Sequence, residues 1–289
     1  MGLIERWGKG LAGLGNATAK AVNAFYGALG RPGKVLQDFI NGTWLRHPLH
    51  ATLTDVVVGG FTMLLILDLV SLIFRAEVAL GATIVLGLTV LAALATIVTG
   101  LTDFKDAEGP ERNAATLHGL TNIIATLVYV VAFFVRLGDG LVAGQVLSII
   151  GYAILSFGAY VGGEVVFKHG YMVNRNVFDG AQQANDFTAV LPAASLAENT
   201  PTQALLGDTA LVLVRRGDLV YALQNTCSHA GGPLNEGTLD GDSIVCPWHA
   251  STFRLKDGSI KHGPAFVPQA AYRARIAGDQ VEVQGPINA

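Results

Sequence analysis

Cys227 and Cys246 are the only cysteines in this chain of 289 residues, and each has a histidine close behind it. The first arm reads Cys227-Ser228-His229 and the second Cys246-Pro247-Trp248-His249, with sixteen residues between the arms. Paired loops that each carry a thiolate and an imidazole suit a [2Fe–2S] centre with both cysteines on one iron and both histidines on the other. The chemistry of such a centre is single-electron transfer. A Cys₂His₂ zinc site uses the same residue types, but along the chain it usually pairs Cys with Cys and His with His. A disulfide is the remaining alternative; it leaves both histidines and Pro247-Trp248 without a role.

The stretches CSHAGGPL (227–234) and CPWHASTF (246–253), followed by Gly263-Pro264-Ala265, resemble a Rieske ferredoxin-type domain spanning about Asp186 to Gly285. The resemblance implies that Cys227 and Cys246 hold the inner iron and His229 and His249 the outer one, with the outer histidines facing solvent. It also implies that Ser251, Phe253 and the loop of Pro264 surround the cluster. Rieske proteins of respiratory cytochrome bc complexes usually carry two more cysteines as a disulfide, and this chain has none to spare. In those proteins a serine and a tyrosine after the second histidine donate hydrogen bonds to the cluster and its cysteine sulfur. Ser251 keeps the first, but Phe253 stands at the tyrosine position. Donors to sulfur raise the potential, so this centre is expected in the lower or middle part of the range from about −150 to +300 mV.

The elements that must position these residues divide the chain unevenly. Mean hydropathy is +0.45 and only 14% of residues are charged, with the apolarity concentrated between residues 51 and 163. Four runs, Ala51–Phe74, Val78–Leu101, Ala115–Val135 and Leu141–Gly163, reach the roughly 20 residues that cross a bilayer. Short connections at Arg75-Ala76-Glu77 and 136–140 imply antiparallel neighbours and a four-helix membrane bundle. Gly158 and Gly162 form a GxxxG spacing that permits close helix packing, inside the bundle or between copies, so an oligomer is admitted. After a polar stretch, strand-like runs at 210–215 and 219–223 around Arg216-Gly217-Asp218, and 280–283 after Ala277-Gly278-Asp279, read as hairpins of an antiparallel β sandwich. The expected organisation is an amphipathic N-terminal segment on the membrane surface (1–46), a four-helix transmembrane domain (47–175), a linker (176–185) and a Rieske domain (186–289).

Basic residues set the expected orientation. Arg6, Lys9, Lys20, Arg31, Lys34, Arg46, Lys105, Arg112, Lys168 and Arg175 fall on one side, and Arg75 and Arg136 on the other. The bias puts both termini and the Rieske domain in the cytoplasm of a bacterium, with the bundle multi-pass in the inner membrane. A reducing compartment agrees with the missing disulfide. No cleavable signal peptide is expected, since charges intersperse the first 30 residues. There Leu3, Ile4, Trp7, Leu11, Leu14, Ala21, Val22, Phe25 and Leu29 recur at helical spacing, an interfacial helix or one packed on the Rieske domain or a partner. Gly8, Gly10, Gly13 and Gly15 weaken that helix.

His47, His50, His118 and His169 all fall at the cytoplasmic end of the bundle, with His118 placed in the first turn of the third membrane helix. Asn41–His50, Gly100–Phe104, His118 with Asn122, and Lys168-His169-Gly170 resemble a bacterial family of four-helix membrane proteins over residues 40–175. Ala51 stands where that family usually has proline, and Arg46 where it often has glycine. Three chemistries fit these histidines: bis-histidine ligation of haem b, a quinone headgroup site with Asp55 as the orienting acid, or interfacial hydrogen bonding. Asp55 needs a partner in a membrane helix, whereas Asp68 is expected to snorkel to water at the far interface.

A net charge of −3 gives no reason to expect nucleic acid. The leading expectation is an electron-transfer subunit rather than a stand-alone enzyme. It would lie in membrane lipid and pass electrons between haem or quinone and a redox partner protein or larger respiratory complex. The competitors are a ferredoxin component of an oxygenase system and an anchoring subunit of a dehydrogenase or hydrogenase complex. A terminal oxygenase is not expected, because no further domain with a 2-His-1-carboxylate iron site follows Gly285.

Overall fold

The computed structural model describes residues 3–74, 77–178 and 180–288. They form two compact units, one of residues 1–41 with 48–171 and one of 42–47 with 172–289. The Arg75-Ala76 connection and Asp179 of the expected linker lie outside the described residues.

The first unit is helical: α1 (Leu3–Gly10), α2 (Ala12–Asn41), α3 (Leu49–Phe74), α4 (Ala79–Phe104), α5 (Gly109–Leu137) and α6 (Leu141–Phe167). The last four are long and apolar enough to cross a membrane. Each is apolar all round, as a helix must be when lipid covers one side and neighbours the other. The inner faces meet in a core of Phe61, Leu64, Leu86, Val90, Tyr129 and Leu155 with small residues such as Ala93 and Ala125. The outer faces expose residues such as Val56, Ile66, Leu88 and Leu127.

α5 begins six residues earlier than the hydropathy suggested. Glu108 and Glu111 form a reciprocal capping box ahead of Pro110, which satisfies the first free N–H groups of the helix. His118 is therefore in the third turn of α5, not the first.

Within the N-terminal segment Gly8 and Gly15 lie on the packing face, whereas Gly10 and Gly13 are exposed. A Cβ on Gly8 would meet Asn113 of α5 at 2.9 Å, and one on Gly15 would overlap Thr116. Gly15, Ala19 and Tyr26 are buried, and Tyr26 Oη lies 2.8 Å from Thr102 Oγ1 of α4. The apolar stripe instead faces outward: Trp7, Leu14, Phe25 and Leu29 are exposed, as are Val35, Leu36 and Phe39 further along α2. Missing side chains let α1 and α2 approach the bundle closely, which reverses the sequence argument that glycine counts against these helices.

A carboxylate at the far end also departs from expectation. Asp68 is fully buried and takes a two-pronged bond from Arg136, at 2.9 Å from Nη1 and 2.5 Å from Nη2. Ser148 Oγ lies 2.8 Å from the same Nη2. Asp68 does not snorkel; its charge is neutralised inside the bundle, and Arg136 belongs to α5 rather than to a loop.

The second unit is antiparallel β, with strands β1 (Ala184–Pro192), β2 (Thr202–Leu206), β3 (Thr209–Arg216), β4 (Leu219–Gln224), β5 (Thr238–Asp240), β6 (Ser243–Val245), β7 (Thr252–Arg254), β8 (Ile260–His262), β9 (Ala271–Ala277) and β10 (Gln280–Gly285). A six-stranded sheet runs β1-β10-β9-β4-β3-β2 and a four-stranded sheet β5-β6-β7-β8. The expected hairpins are present, with Arg216 opposite Leu219 and Ala277 opposite Gln280. Gly217 and Gly278 take the positive φ that these two-residue turns require.

β3 explains the layering. Leu211 and Leu213 enter one core with Tyr272, Val281 and Val283. Val212 and Val214 enter another, with Leu234, Ile244, Phe253, Cys227 and Cys246. A strand buried on both faces loses the polar alternation of a surface strand, and it places both cysteines against the second core.

Candidate metal centre

Three loops build the centre. The first runs from β4 to β5 and carries Cys227 and His229. The second is the β6–β7 connection with Cys246 and His249, and the third joins β8 to β9 through Gly263-Pro264-Ala265. Backbone bonds hold the first two as tight turns: Cys227 N–H donates to Gly232 O at 2.9 Å and Gly231 N–H to Cys227 O at 2.8 Å. In the second loop Ala250 N–H donates to Cys246 O at 3.1 Å and Cys246 N–H to Ser251 O at 2.8 Å.

Both cysteines are buried and unpaired by any disulfide. Their side chains share a hydrogen bond, which pushes the Cys227 thiol up and holds Cys246 down at about 7. The backbone N–H groups of Trp248 and His249 aim at the Cys246 sulfur, and those of His229 and Ala230 at the Cys227 sulfur. The amides work toward the thiolate, the form that ligates metal, and at Cys227 they are outweighed by the shared hydrogen bond and burial. The imidazoles of His229 and His249 form a second pair, ring centres 5.1 Å apart and planes at 89°. A Cβ on Gly232 would stand 2.8 Å from Cys246 Sγ and 3.0 Å from Trp248 Cγ, so only glycine lets the first loop close over the second.

This donor set fits a dinuclear iron–sulfur group: a cysteine pair and an imidazole pair, on two loops locked by main-chain bonds. A single zinc ion would need all four donors around one point. Among the described residues, no three His, Cys, Asp or Glu side chains converge in that way.

Ser251 is fully buried and its Oγ accepts from Ala265 N–H at 3.0 Å, tying the proline loop to the second cluster loop. That bond uses the oxygen as acceptor and leaves its proton to donate. Ser228 Oγ donates to Val267 O at 2.6 Å, tying the same loop to the first. Phe253, also fully buried, lies on β7 opposite Ile244. Pro264 follows Gly263 through a cis peptide bond.

The histidines are less open than expected: His229 is only 5% exposed, while His249 is half-buried. The chain entering the β unit covers the first loop, with Arg175 N–H donating to Ser228 O at 3.1 Å. Asn176 Nδ2 donates to Thr226 O and to Gln269 Oε1, both at 3.0 Å. The start of the expected linker is thus fastened to the cluster loops, a contact that polar composition alone does not reveal.

The membrane histidines separate into one pair and two outliers. His50 and His118 bring their ring centres to 6.2 Å, planes at 89°. His50 Nδ1 lies 3.0 Å from Thr96 O of α4 and His118 Nδ1 2.8 Å from Gly158 O of α6. His169 instead lines a groove with Ile4, Glu5, Lys9 and Asn113, and His47 is exposed in the other unit. Asp55 is exposed on α3. Five residues from His50 is about 140° around a helix, so it cannot orient that ring. The GxxxG pair is internal, since Cβ atoms on Gly158 and Gly162 would meet Asn122 at 2.7 Å and His118 at 2.7 Å.

Comparison with known proteins agrees with both halves. The Rieske [2Fe–2S] domain family matches residues 186–273, and a family described as predicted membrane protein, DUF2231, matches residues 46–175. Ferredoxin CarAc of Metapseudomonas resinovorans is 38% identical over 80 residues, covering 28% of this chain and 75% of that protein. The anthranilate 1,2-dioxygenase ferredoxin subunit of Burkholderia cepacia is 31% identical over 86 residues, 30% of this chain and 80% of that one. Among solved structures, the ferredoxin of carbazole 1,9a-dioxygenase from Nocardioides aromaticivorans shares 29% identity with a TM-score of 0.33, covering 35% of this chain and 98% of that chain. The chain belongs to the Rieske [2Fe–2S] proteins, whose chemistry is iron–sulfur electron transfer, and it joins that domain to one of the DUF2231 membrane-protein family.

Proposed function

We propose that this protein is a membrane-anchored Rieske electron carrier, exchanging single electrons between a redox group in its helical bundle and a separate redox protein. The observation that carries the reading is the pairing at the centre, cysteine beside cysteine in one core and imidazole beside imidazole. In it Cys227 and Cys246 hold one iron of a [2Fe–2S] cluster and His229 and His249 the other. The cluster supplies one-electron chemistry when bound. The chain supplies amides directed at the sulfurs, a buried Ser251 hydroxyl with a proton to donate, and an apolar wall that includes Phe253.

The bundle lies in the bacterial inner membrane with the Rieske domain on the cytoplasmic side. The basic residues from Arg6 to Arg46, with Arg112, Lys168 and Arg175, support that orientation, and burial of Lys105 against Asp106 and of Arg136 against Asp68 removes one charge from each side of the count. The exposed apolar stripe of α1 and α2 suits the membrane surface. A second reading, a ferredoxin component feeding an oxygenase, is favoured by the names of the relatives, two of which are ferredoxins of dioxygenases.

The test is the reduced-state EPR spectrum of the purified full-length protein, with iron and sulfide assays. A mixed Cys/His-ligated [2Fe–2S] signal is expected, lost in Cys227→Ser and His249→Ala. One zinc per chain with neither iron nor sulfide sinks the reading.

A further inference from the structure

The helical bundle carries an internal two-fold pattern centred on its histidine pair. Leu49-His50 in α3 and Leu117-His118 in α5 are each followed, eleven residues after the histidine, by an aromatic: Phe61 and Tyr129. Eleven residues are close to three helical turns, so histidine and aromatic share a face in each helix. Phe61 and Tyr129 stack with ring centres 3.6 Å apart and planes within 4°. Three turns away, His50 and His118 face each other at 6.2 Å.

The second helix of each half repeats as well. His50 reaches the Thr96 carbonyl of α4, and four residues on stands Gly100. His118 reaches the Gly158 carbonyl of α6, and four residues on stands Gly162. A Cβ on Gly100 would lie 2.7 Å from His50 Cε1, and one on Gly162 2.7 Å from His118 Cε1. Each imidazole therefore sits in a notch that a side chain would fill.

We propose that His50 and His118 are the two axial ligands of a haem b held inside the bundle. The proposal deepens the electron-carrier reading by naming the redox group of the membrane domain. The partners fix the chemistry of the rings. Thr96 O and Gly158 O are carbonyl oxygens and only accept, so Nδ1 of each histidine carries the proton. Asn122 Nδ2 also lies 3.2 Å from His118 Nδ1, but the carbonyl is nearer and sets the tautomer. Nε2 of each ring is then a lone-pair donor, and neither has a hydrogen-bond partner among the described residues. A histidine whose other nitrogen is anchored to a backbone carbonyl is the usual state of a metal ligand.

The number of donors selects the metal group. Among the described residues no third His, Cys, Asp or Glu joins the pair to complete a bare ion's shell. A metalloporphyrin brings four in-plane nitrogens and lacks only two axial ones. Two metal–imidazole bonds of about 2 Å, with about 1 Å more from each nitrogen to its ring centre, place the ring centres about 6 Å apart. The observed 6.2 Å matches. An oxidised quinone fits less well, because its carbonyls need hydrogen-bond donors and both Nε2 atoms are acceptors. The haem iron would cycle between ferric and ferrous by one electron, with no bond to the protein made or broken.

The experiment uses the full-length chain, expressed with a haem precursor and purified in detergent. Pyridine haemochrome assay should give one haem b per chain, with low-spin ferric EPR and sharp visible bands on reduction. His50→Ala and His118→Ala should each abolish the low-spin signal while the [2Fe–2S] signal persists as a control for folding. Should the alanine variants also lose the cluster, His118→Met decides: a low-spin haem with altered bands supports the assignment, and unaltered bands overturn it. Protein with a full cluster that contains no haem, and shows no Soret shift when titrated with haemin, overturns it too. Haem without a cluster would overturn the Rieske reading and leave this one standing.

Discussion

Replacing Phe253 by tyrosine tests whether the β7 position tunes the cluster. Phe253 is fully buried in the core that also contains Cys227 and Cys246, directly after the second cluster loop. A phenolic hydroxyl that reaches a ligand sulfur stabilises the reduced state more than the oxidised one, because reduction adds charge to the sulfurs. A hydrogen bond is worth about 0.5–1.5 kcal/mol net. With about 59 mV per 1.4 kcal/mol for one electron, the midpoint should rise by about 20–65 mV. If the ring instead keeps its hydroxyl among Ile244 and Leu255, the buried group goes unsatisfied. That costs about 1–3 kcal/mol of stability with no electrochemical gain. An EPR-monitored redox titration of wild type and Phe253→Tyr separates the two. A cluster-replete variant whose midpoint is unchanged or lower refutes the argument.

Two further outcomes test the membrane domain. Asp68→Leu or Arg136→Leu alone should destabilise the detergent-solubilised bundle by about 3–5 kcal/mol, because each strands a buried charge. The double leucine variant should recover much of that loss, and equal losses in all three, measured by thermal unfolding, would deny the ion pair its role. Protease added to intact cells should leave the β unit uncut, while inside-out vesicles should expose it; cleavage from outside would reverse the orientation.

How much of this was legible in the sequence depends on what kind of physics fixes each feature. The Rieske domain was readable because its motif depends on residue type and local spacing, and both are written in consecutive letters. The four long helices were readable because bilayer thickness fixes their length. Asp68 with Arg136 was not, since the two are 68 residues apart and hydropathy treats each as a separate defect. The N-terminal glycines were misread for a related reason. Helix propensity scores a residue against solvent, whereas Gly8 and Gly15 are set by Asn113 and Thr116 of another helix. Asp55 failed on direction: it is close to His50 in sequence and turned away from it on the helix.

The histidines show where sequence clustering stops being informative. Sequence placed four of them at one end of the membrane domain, yet within the helical unit only His50 and His118 meet, and each is aimed by backbone. Each ring is aimed by a carbonyl, at Thr96 or Gly158, and admitted by a glycine four residues further along, at Gly100 or Gly162. The cluster loops use the opposite polarity: amide N–H groups aimed at Cys227 and Cys246, and Gly232 where a side chain would collide. A thiolate must be stabilised as an anion, so its loop presents donors. An imidazole whose Nδ1 faces a carbonyl is held in one tautomer, and here the neighbouring helix presents that acceptor. In both places the main chain orients the side chain: amides face the sulfurs, and carbonyls face the imidazoles.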